Sequence, residues 1–334
     1  MSDLVDRFLI RKETLGNRAV STVDKYRKML LKLEMWLGNT RIEQASRQQL
    51  EEFVGMYAHK ELKLSPSARK PLVSAVRGFY QWLELEKIID CSPAQLIPYP
   101  KVGRKLPVAM QLANAERLLM QPDLSTFAGV RDATILSLMI GSGPRIAGVV
   151  ALNERDLIWQ DKDGELSLTV RLTEKGHKQR LVPAHPDTMW MLRAYLGHET
   201  LETIDRTLPD SDRVLFVSMQ NQMLPAHEYF GEARRISSRA IDQMIKKYGM
   251  MAGIPEEELH AHALRHLFGA ELAEDDVDLL IRQSLLGHAD AKTTEIYSHL
   301  ATRKLAKATG SSSPLAKMYS PARELSERLR GKAK

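Results

Sequence analysis

Along the first hundred residues, apolar side chains return every three or four positions, the spacing of one helical face. Tyr26, Met29, Leu30, Leu33, Trp36 and Leu37 make one such run. It opens at Ser21-Thr22-Val23-Asp24, where a hydroxyl can cap the free amides of a helix start. Leu50, Phe53, Val54 and Tyr57 make a second run. A third follows Ser65-Pro66-Ser67 and carries Leu72, Val73, Val76, Phe79, Tyr80, Trp82 and Leu83. The pattern predicts four or five short helices packed as a small bundle over residues 1–97.

Periodicity stops at 98–107, Pro98-Tyr99-Pro100-Lys101-Val102-Gly103-Arg104-Lys105-Leu106-Pro107. Three prolines disfavour both helix and ladder, so this is a linker, and it is basic. Such a segment is either simply solvated or laid along a phosphate backbone between two domains. Beyond it the pattern is mixed. Ala115 to Leu119 and Ala133 to Met139 predict helices, and Leu166 to Leu172 alternates with the period of a strand. Lys175-Gly176-His177-Lys178 predicts a hairpin turn and Arg180-Leu181-Val182-Pro183 its return strand. Helices are expected from Pro186 onward, one starting at Ser237-Ser238-Arg239 and stopping at Gly253-Ile254-Pro255. Gly310-Ser311-Ser312-Ser313-Pro314 is expected to be a flexible joint before a short basic helix. The expected organisation is thus a helical domain 1–97, a linker 98–107, a second domain 108–300 and a basic tail 301–334. The fold class is mostly α with a small antiparallel β-sheet.

Composition narrows the class. At 334 residues, two domains are comfortable, and an apolar content of 43% lets each bury a core. No apolar run approaches the ~20 residues needed to span a bilayer. The first residues lack the basic and then apolar regions of a signal peptide. The single cysteine, Cys91, forms no internal disulfide and no cysteine-rich metal site. A bacterial cytoplasmic protein is expected. Charge is uneven: residues 1–107 carry 19 Lys/Arg against 12 Asp/Glu, 108–300 carry 20 against 28, and 301–334 carry 9 against 2. Basic ends around an acidic middle suggest two surfaces for a polyanion, with any groove in the middle confined to a local basic pocket.

Four segments supply candidates for that pocket. His262 and Arg265, in His262-Ala263-Leu264-Arg265-His266, lie three apart and share a helical face beside the apolar Leu267, Phe268 and Leu272. Charge near a buried surface needs a partner, and phosphate oxygens suit the arginine fork. Arg145 ends Gly141-Ser142-Gly143-Pro144-Arg145, a sharp turn before a helix. Two arginines can neutralise both non-bridging oxygens of a pentavalent phosphorus, whereas one only steers it. Lys175 sits on the hairpin turn, where a lysine is usually just solvated but can also protonate a leaving 5′ oxygen. His288, in Leu285-Leu286-Gly287-His288, is either a helix cap or a donor to phosphate. Tyr297 follows nine residues later. An isolated tyrosine is ordinarily a packing residue with a phenol pKa near ~10, but cationic neighbours make its phenolate easier to form.

Together these segments resemble the tyrosine recombinases, the phage integrase family, over nearly the whole chain. Gly-Ser-Gly-Pro-Arg is similar to the family's first arginine box, and Glu174 to Pro183 to its lysine hairpin. His262 to His266 and Leu285 to His288 are similar to the later boxes, and the distance to Tyr297 fits. The helical run resembles the core-binding (SAM-like) domain. The resemblance implies that Arg145 and Arg265 clamp a scissile phosphate with help from His288. Lys175 is then the general acid, His262 assists proton transfer, and Tyr297 is the nucleophile. It implies no metal and no cofactor. It implies double-stranded DNA core sites with inverted half-sites, and a homo-tetramer that exchanges strands through a Holliday junction, with or without a second recombinase or accessory protein. The tail would dock on a neighbouring protomer. Departures from the family pattern are Pro144, Gly148 in place of an acid, Ala261 in place of proline, and Leu267. With no arm-binding domain ahead of the bundle, a simple Xer-like or mobile-element recombinase is expected. The rival readings are a type IB topoisomerase that relaxes supercoils, and a DNA-binding accessory protein with a weakened active site.

Overall fold

A computed structural model describes residues 2–16, 20–103, 108–162, 164–173, 179–220, 224–287 and 309–322. The chain divides into two compact units, residues 1–105 and 106–334. The architecture is mostly α-helical with one three-stranded antiparallel sheet. Among the described residues no helix is long and apolar enough to cross a membrane.

The first unit is a helical bundle. Helix α1 (Asp3–Thr14) is followed by α2 (Val20–Leu37), which begins one residue ahead of the Ser21 expected to cap it. Helix α3 (Arg47–Glu52) opens on a reciprocal capping box in which Ser46 and Gln49 satisfy each other's amides. It runs through a single π-helical stretch, Phe53–Tyr57, into the short α4 (Ala58–Lys60). Helix α5 (Pro66–Leu85) starts at the Ser65 cap with proline in its first turn, where a missing N–H is harmless. Its apolar face, from Leu72 to Leu83, packs with Phe8, Leu30, Leu33 and Phe53. The start of the linker adheres to this unit. Arg77 donates to the Ile97 carbonyl (3.3 Å) and lies over the Tyr99 ring.

The second unit opens with α6 (Leu112–Leu119) and α7 (Phe127–Ser142), the latter buried along almost its whole length. After α8 (Ile146–Val150) come β1 (Leu157–Lys162), β2 (Glu165–Thr173) and β3 (Gln179–Pro183), in the order β1-β2-β3. The register sets Val170 opposite Val182 and Leu172 opposite Arg180. Strand β1 was not among the sequence expectations, because Leu157-Ile158-Trp159 lacks alternation and gives way to Gln-Asp-Lys. Next are α9 (Pro186–Leu196) and the short α10 (Glu199–Glu202).

The expectation of helices from Pro186 onward fails over 203–236. The described residues there, 203–220 and 224–236, hold only the short 3-10 turns Ala226–Glu228 and Gly231–Arg234, and they are tied down by isolated bridges Asn153–Val214, Thr207–Arg213 and Val217–Arg235. Pro209, Pro225 and the left-handed Gly231 break helical continuity, while Val214 to Val217 is a fully buried all-apolar run that bends at Leu215 and Phe216 between two isolated bridges. Helix order returns with α11 (Ser238–Met251), capped by Ser237, then α12 (Ala261–Glu274) and α13 (Leu279–Leu286).

The described part of the tail, 309–322, is seated on the second unit of its own chain. Leu315 and Met318 join that unit's core. Lys317 pairs with Glu271 (2.8 Å) and Asp275 (2.9 Å) of α12 and the turn after it. The expected flexible joint is packed at its far end: Gly310 and Ser311 are exposed, but Ser312 is buried and Ser313 is fully shielded, with its hydroxyl donating to the Gly141 carbonyl (3.2 Å). Small hydroxyl side chains admit a close approach and satisfy a helix-end carbonyl, so here serines mark a packed contact. In a lone chain the covalently attached tail has the advantage of effective concentration over any second copy.

Candidate active site

The site is built where α7 ends, α12 begins and α13 finishes. Helix α7 terminates at Gly143, whose φ of +55° reverses the chain. A side chain there would be doubly excluded, since a Cβ would lie 2.6 Å from the Phe268 ring of α12. Gly141 allows a second close approach, because its Cβ would stand 2.7 Å from Leu315 of the tail. The two glycines thus let helix and tail close on the turn. Pro144 is buried, and Arg145 becomes the extended N-cap residue of α8, half-exposed at the turn's end.

Helix α12 is capped by His260, whose Nδ1 accepts the Ala263 N–H (3.0 Å). Its start is stitched to the beginning of the unit. Met110 N–H donates to the Ala263 carbonyl (3.2 Å), and the buried Glu258 accepts from Gln111 N–H (3.0 Å) and Asn114 Nδ2 (2.8 Å). On this anchored helix Arg265 is 6% exposed, a placement that demands partners for its charge. Its Nη1 donates to the Gly143 carbonyl (2.7 Å), and its Nη2 donates to the carbonyl of Leu286 at the end of α13. His262 is exposed one turn earlier. His266 is also exposed, with its ring 6.3 Å from that of His262.

A third guanidinium belongs to the cluster. Arg180, at the start of β3, donates through Nη1 to the Leu285 carbonyl. Burial, and then the charges of Arg265 and Arg145, push its pKa down to about 9. Burial and the charge of Arg145 push Arg265 down to about 10. Both guanidinium groups remain protonated at neutral pH, so three like charges converge in a poorly solvated place. Such a place attracts an anion with several acceptor oxygens. Arg180 was absent from the sequence-derived candidates. The signal was available: with period two, Arg180 shares a strand face with the buried Val182.

The structure therefore brings Arg145 and Arg265 together across 120 residues of sequence and sets His262 at their edge. Lys175, His288 and Tyr297 lie outside the described residues. A Cβ added at the buried Gly148 would meet only ordinary contacts, the nearest being the Thr173 carbonyl at 3.6 Å. Among the described residues no group of three His, Cys, Asp or Glu side chains could hold a metal ion.

Residues 109–304 match the phage integrase family, and residues 5–87 match the phage integrase N-terminal SAM-like domain. The chain belongs to the phage integrase family. Among curated members of this family, it is 31% identical over 304 residues to the tyrosine recombinase XerD of Yersinia pestis, covering 90% of this chain and 94% of that one. It is 34% identical over 316 residues to the tyrosine recombinase XerC of Xanthomonas campestris, covering 94% and 89%. Two solved structures share its fold. One is the XerH site-specific recombinase bound to a palindromic difH substrate (TM-score 0.62, 20% identity, 91% and 83% coverage). The other is a lambda integrase dimer bound to a COC′ core site (TM-score 0.60, 14% identity, 87% and 95% coverage).

Proposed function

We propose that this integrase-family chain is a site-specific DNA recombinase, working through a 3′-phosphotyrosine intermediate. The observation that carries the reading is the convergence of Arg145 and Arg265 on one buried, anion-seeking place. The Tyr297 phenol oxygen attacks the scissile phosphorus and the 5′ oxygen leaves with a proton. A 5′ hydroxyl then attacks the phosphotyrosine, restores the DNA backbone and frees the phenol. Arg145 and Arg265 hold the non-bridging oxygens, whose negative charge grows in the transition state. His262 takes part in proton transfer from Tyr297, Lys175 protonates the leaving oxygen, and His288 donates to the phosphate.

The ester conserves the energy of the broken bond, so no nucleotide is consumed. Because the charge is handled by guanidinium groups and the protons by side chains, no step needs a metal ion. Cleavage is expected to persist in EDTA, and loss restored by Mg²⁺ would point to another phosphoryl-transfer mechanism. Four protomers on two duplexes bearing inverted half-sites would exchange strands in pairs through a Holliday junction, within a bacterial cytoplasm.

The test is covalent capture on nicked duplexes tiled across the DNA beside the gene. Wild-type protein is expected to form a denaturant-stable adduct on one of them, and Tyr297→Phe to bind that duplex without forming it. An undiminished adduct in Tyr297→Phe would place the nucleophile elsewhere. No wild-type adduct on any duplex would favour an accessory DNA-binding protein, and sequence-independent relaxation of a supercoiled plasmid would favour a topoisomerase.

A further inference from the structure

We propose that Arg180 is a positioning residue of the arginine site, gripping the last turn of α13 together with Arg265 and so fixing where that helix ends beside Arg145. This role rests on the recombinase reading. Three observations support it. First, Arg180 stands opposite Leu172 in the ladder and on the same face as Val182, where the strand pattern calls for an apolar side chain. A guanidinium kept at an inward-facing position requires a specific partner.

Second, the partner is directional. The Arg180 Nη1 donates to the Leu285 carbonyl, and Arg265 takes the adjacent Leu286 carbonyl while its other nitrogen holds Gly143. Carbonyls in the last turn of a helix lack intrahelical donors and carry the negative end of its dipole. Two cations on successive carbonyls therefore fix both the rotation and the ending of α13, which closes on Gly287 in the left-handed conformation. Third, Arg180 is electrostatically coupled to both Arg265 and Arg145, so it belongs to the same charge cluster. Strand β3 is thereby tied to α13 at the place where the phosphate would sit.

The experiment compares Arg180→Met and Arg180→Lys with wild type on the duplex that wild type cleaves. It reads melting temperature, half-site affinity, and the first-order cleavage rate at saturating protein. Methionine fills similar volume without charge, and replacing a buried ion by an apolar group is often neutral or stabilising. Arg180→Met is thus expected to melt at or above the wild-type temperature and to bind within about threefold, yet to cleave about 10²-fold more slowly, the scale of a small misplacement of reacting groups. Arg180→Lys keeps the charge and one donor, and is expected to recover to within about tenfold of wild type.

Cleavage by Arg180→Met within about twofold of wild type would overturn the role. So would a loss of cleavage that melting and affinity follow in parallel, with no recovery in Arg180→Lys. If Arg180→Met does not fold, Arg180→Lys must still separate rate from affinity, and equal losses in both would reject the proposal. Absence of any wild-type adduct would instead remove the recombinase reading and this role with it.

Discussion

Arg265 shows how a single buried charge organises this site. It is nearly shielded from solvent, but its fork is divided between the Gly143 and Leu286 carbonyls. Removing it affects chemistry and packing unequally. Arg265→Ala is expected to lower the cleavage rate by roughly 10²–10³, the usual effect of one electrostatic donor aimed at a transition state. The two carbonyls left behind cost on the order of 1 kcal/mol each, partly offset by relief of repulsion with Arg145 and Arg180. A denaturant melt and a cleavage time course would separate the two, and near wild-type cleavage would refute the clamp. The like-charged cluster also predicts stabilisation by small anions. At ten times its Kd, inorganic phosphate should add about 1.4 kcal/mol, or about 3–5 °C in melting temperature for a unit of this size. Arg145→Gln should abolish most of that rise, whereas an equal rise in both proteins would place the phosphate elsewhere. At this scale Arg145, His262 and Arg265 could be picked out as candidates because each stands in a local motif of turn or helix. Arg180 was read only as the first residue of a return strand, since its partner carbonyl lies on α13, 105 residues away.

At the scale of elements, legibility followed the strength of local signals. Helix α5 announced itself through Ser65, Pro66 and a regular apolar face, and β2 through strict alternation. Strand β1 gave no such pattern, and 203–236 was misread because its order is long-range, set by bridges to Asn153 and Arg235 rather than by periodicity. The serines before Pro314 carried the composition of a joint, yet Ser313 packs against Gly141 because the end of α7 offers a carbonyl and no side chain. That contact is testable. In Gly141→Ala the new methyl would meet Leu315 at 2.7 Å and Thr188 at 3.0 Å. Overpacking of this kind typically costs about 1–3 kcal/mol. Leu315→Ala alone should cost about 2–5 kcal/mol by opening a cavity. Since the two changes share one space, the double variant is expected to lose less than the sum, by about 0.5–3 kcal/mol. Strict additivity in denaturant melts would mean that the tail does not sit on α7 in solution.

At the scale of the whole molecule, the tail has two possible uses that make different demands on the isolated protein. If residues 309–322 serve only to reach a neighbouring protomer, removing them leaves the second unit of a lone chain as stable as before. If they complete that unit's own core, stability falls before any DNA or partner is present. The contacts favour the second outcome. Leu315 and Met318 are buried to 0% and 3% exposure, Ser320 donates to Asp187 at the start of α9, and Lys317 bridges Glu271 and Asp275. Full burial of two such apolar side chains is worth about 3–6 kcal/mol, an upper bound because the unfolded chain already shields part of that area. Truncation after residue 308 is therefore expected to lower the melting temperature of the DNA-free protein by several degrees. Lys317→Glu, which leaves the apolar contacts in place, should lower it less, because its ion pairs remain partly solvated. A truncated protein with wild-type melting would show that the cis seat contributes nothing. Loss of paired sites and recombination in that same truncated protein, with half-site binding intact, would then assign the tail wholly to contacts between protomers.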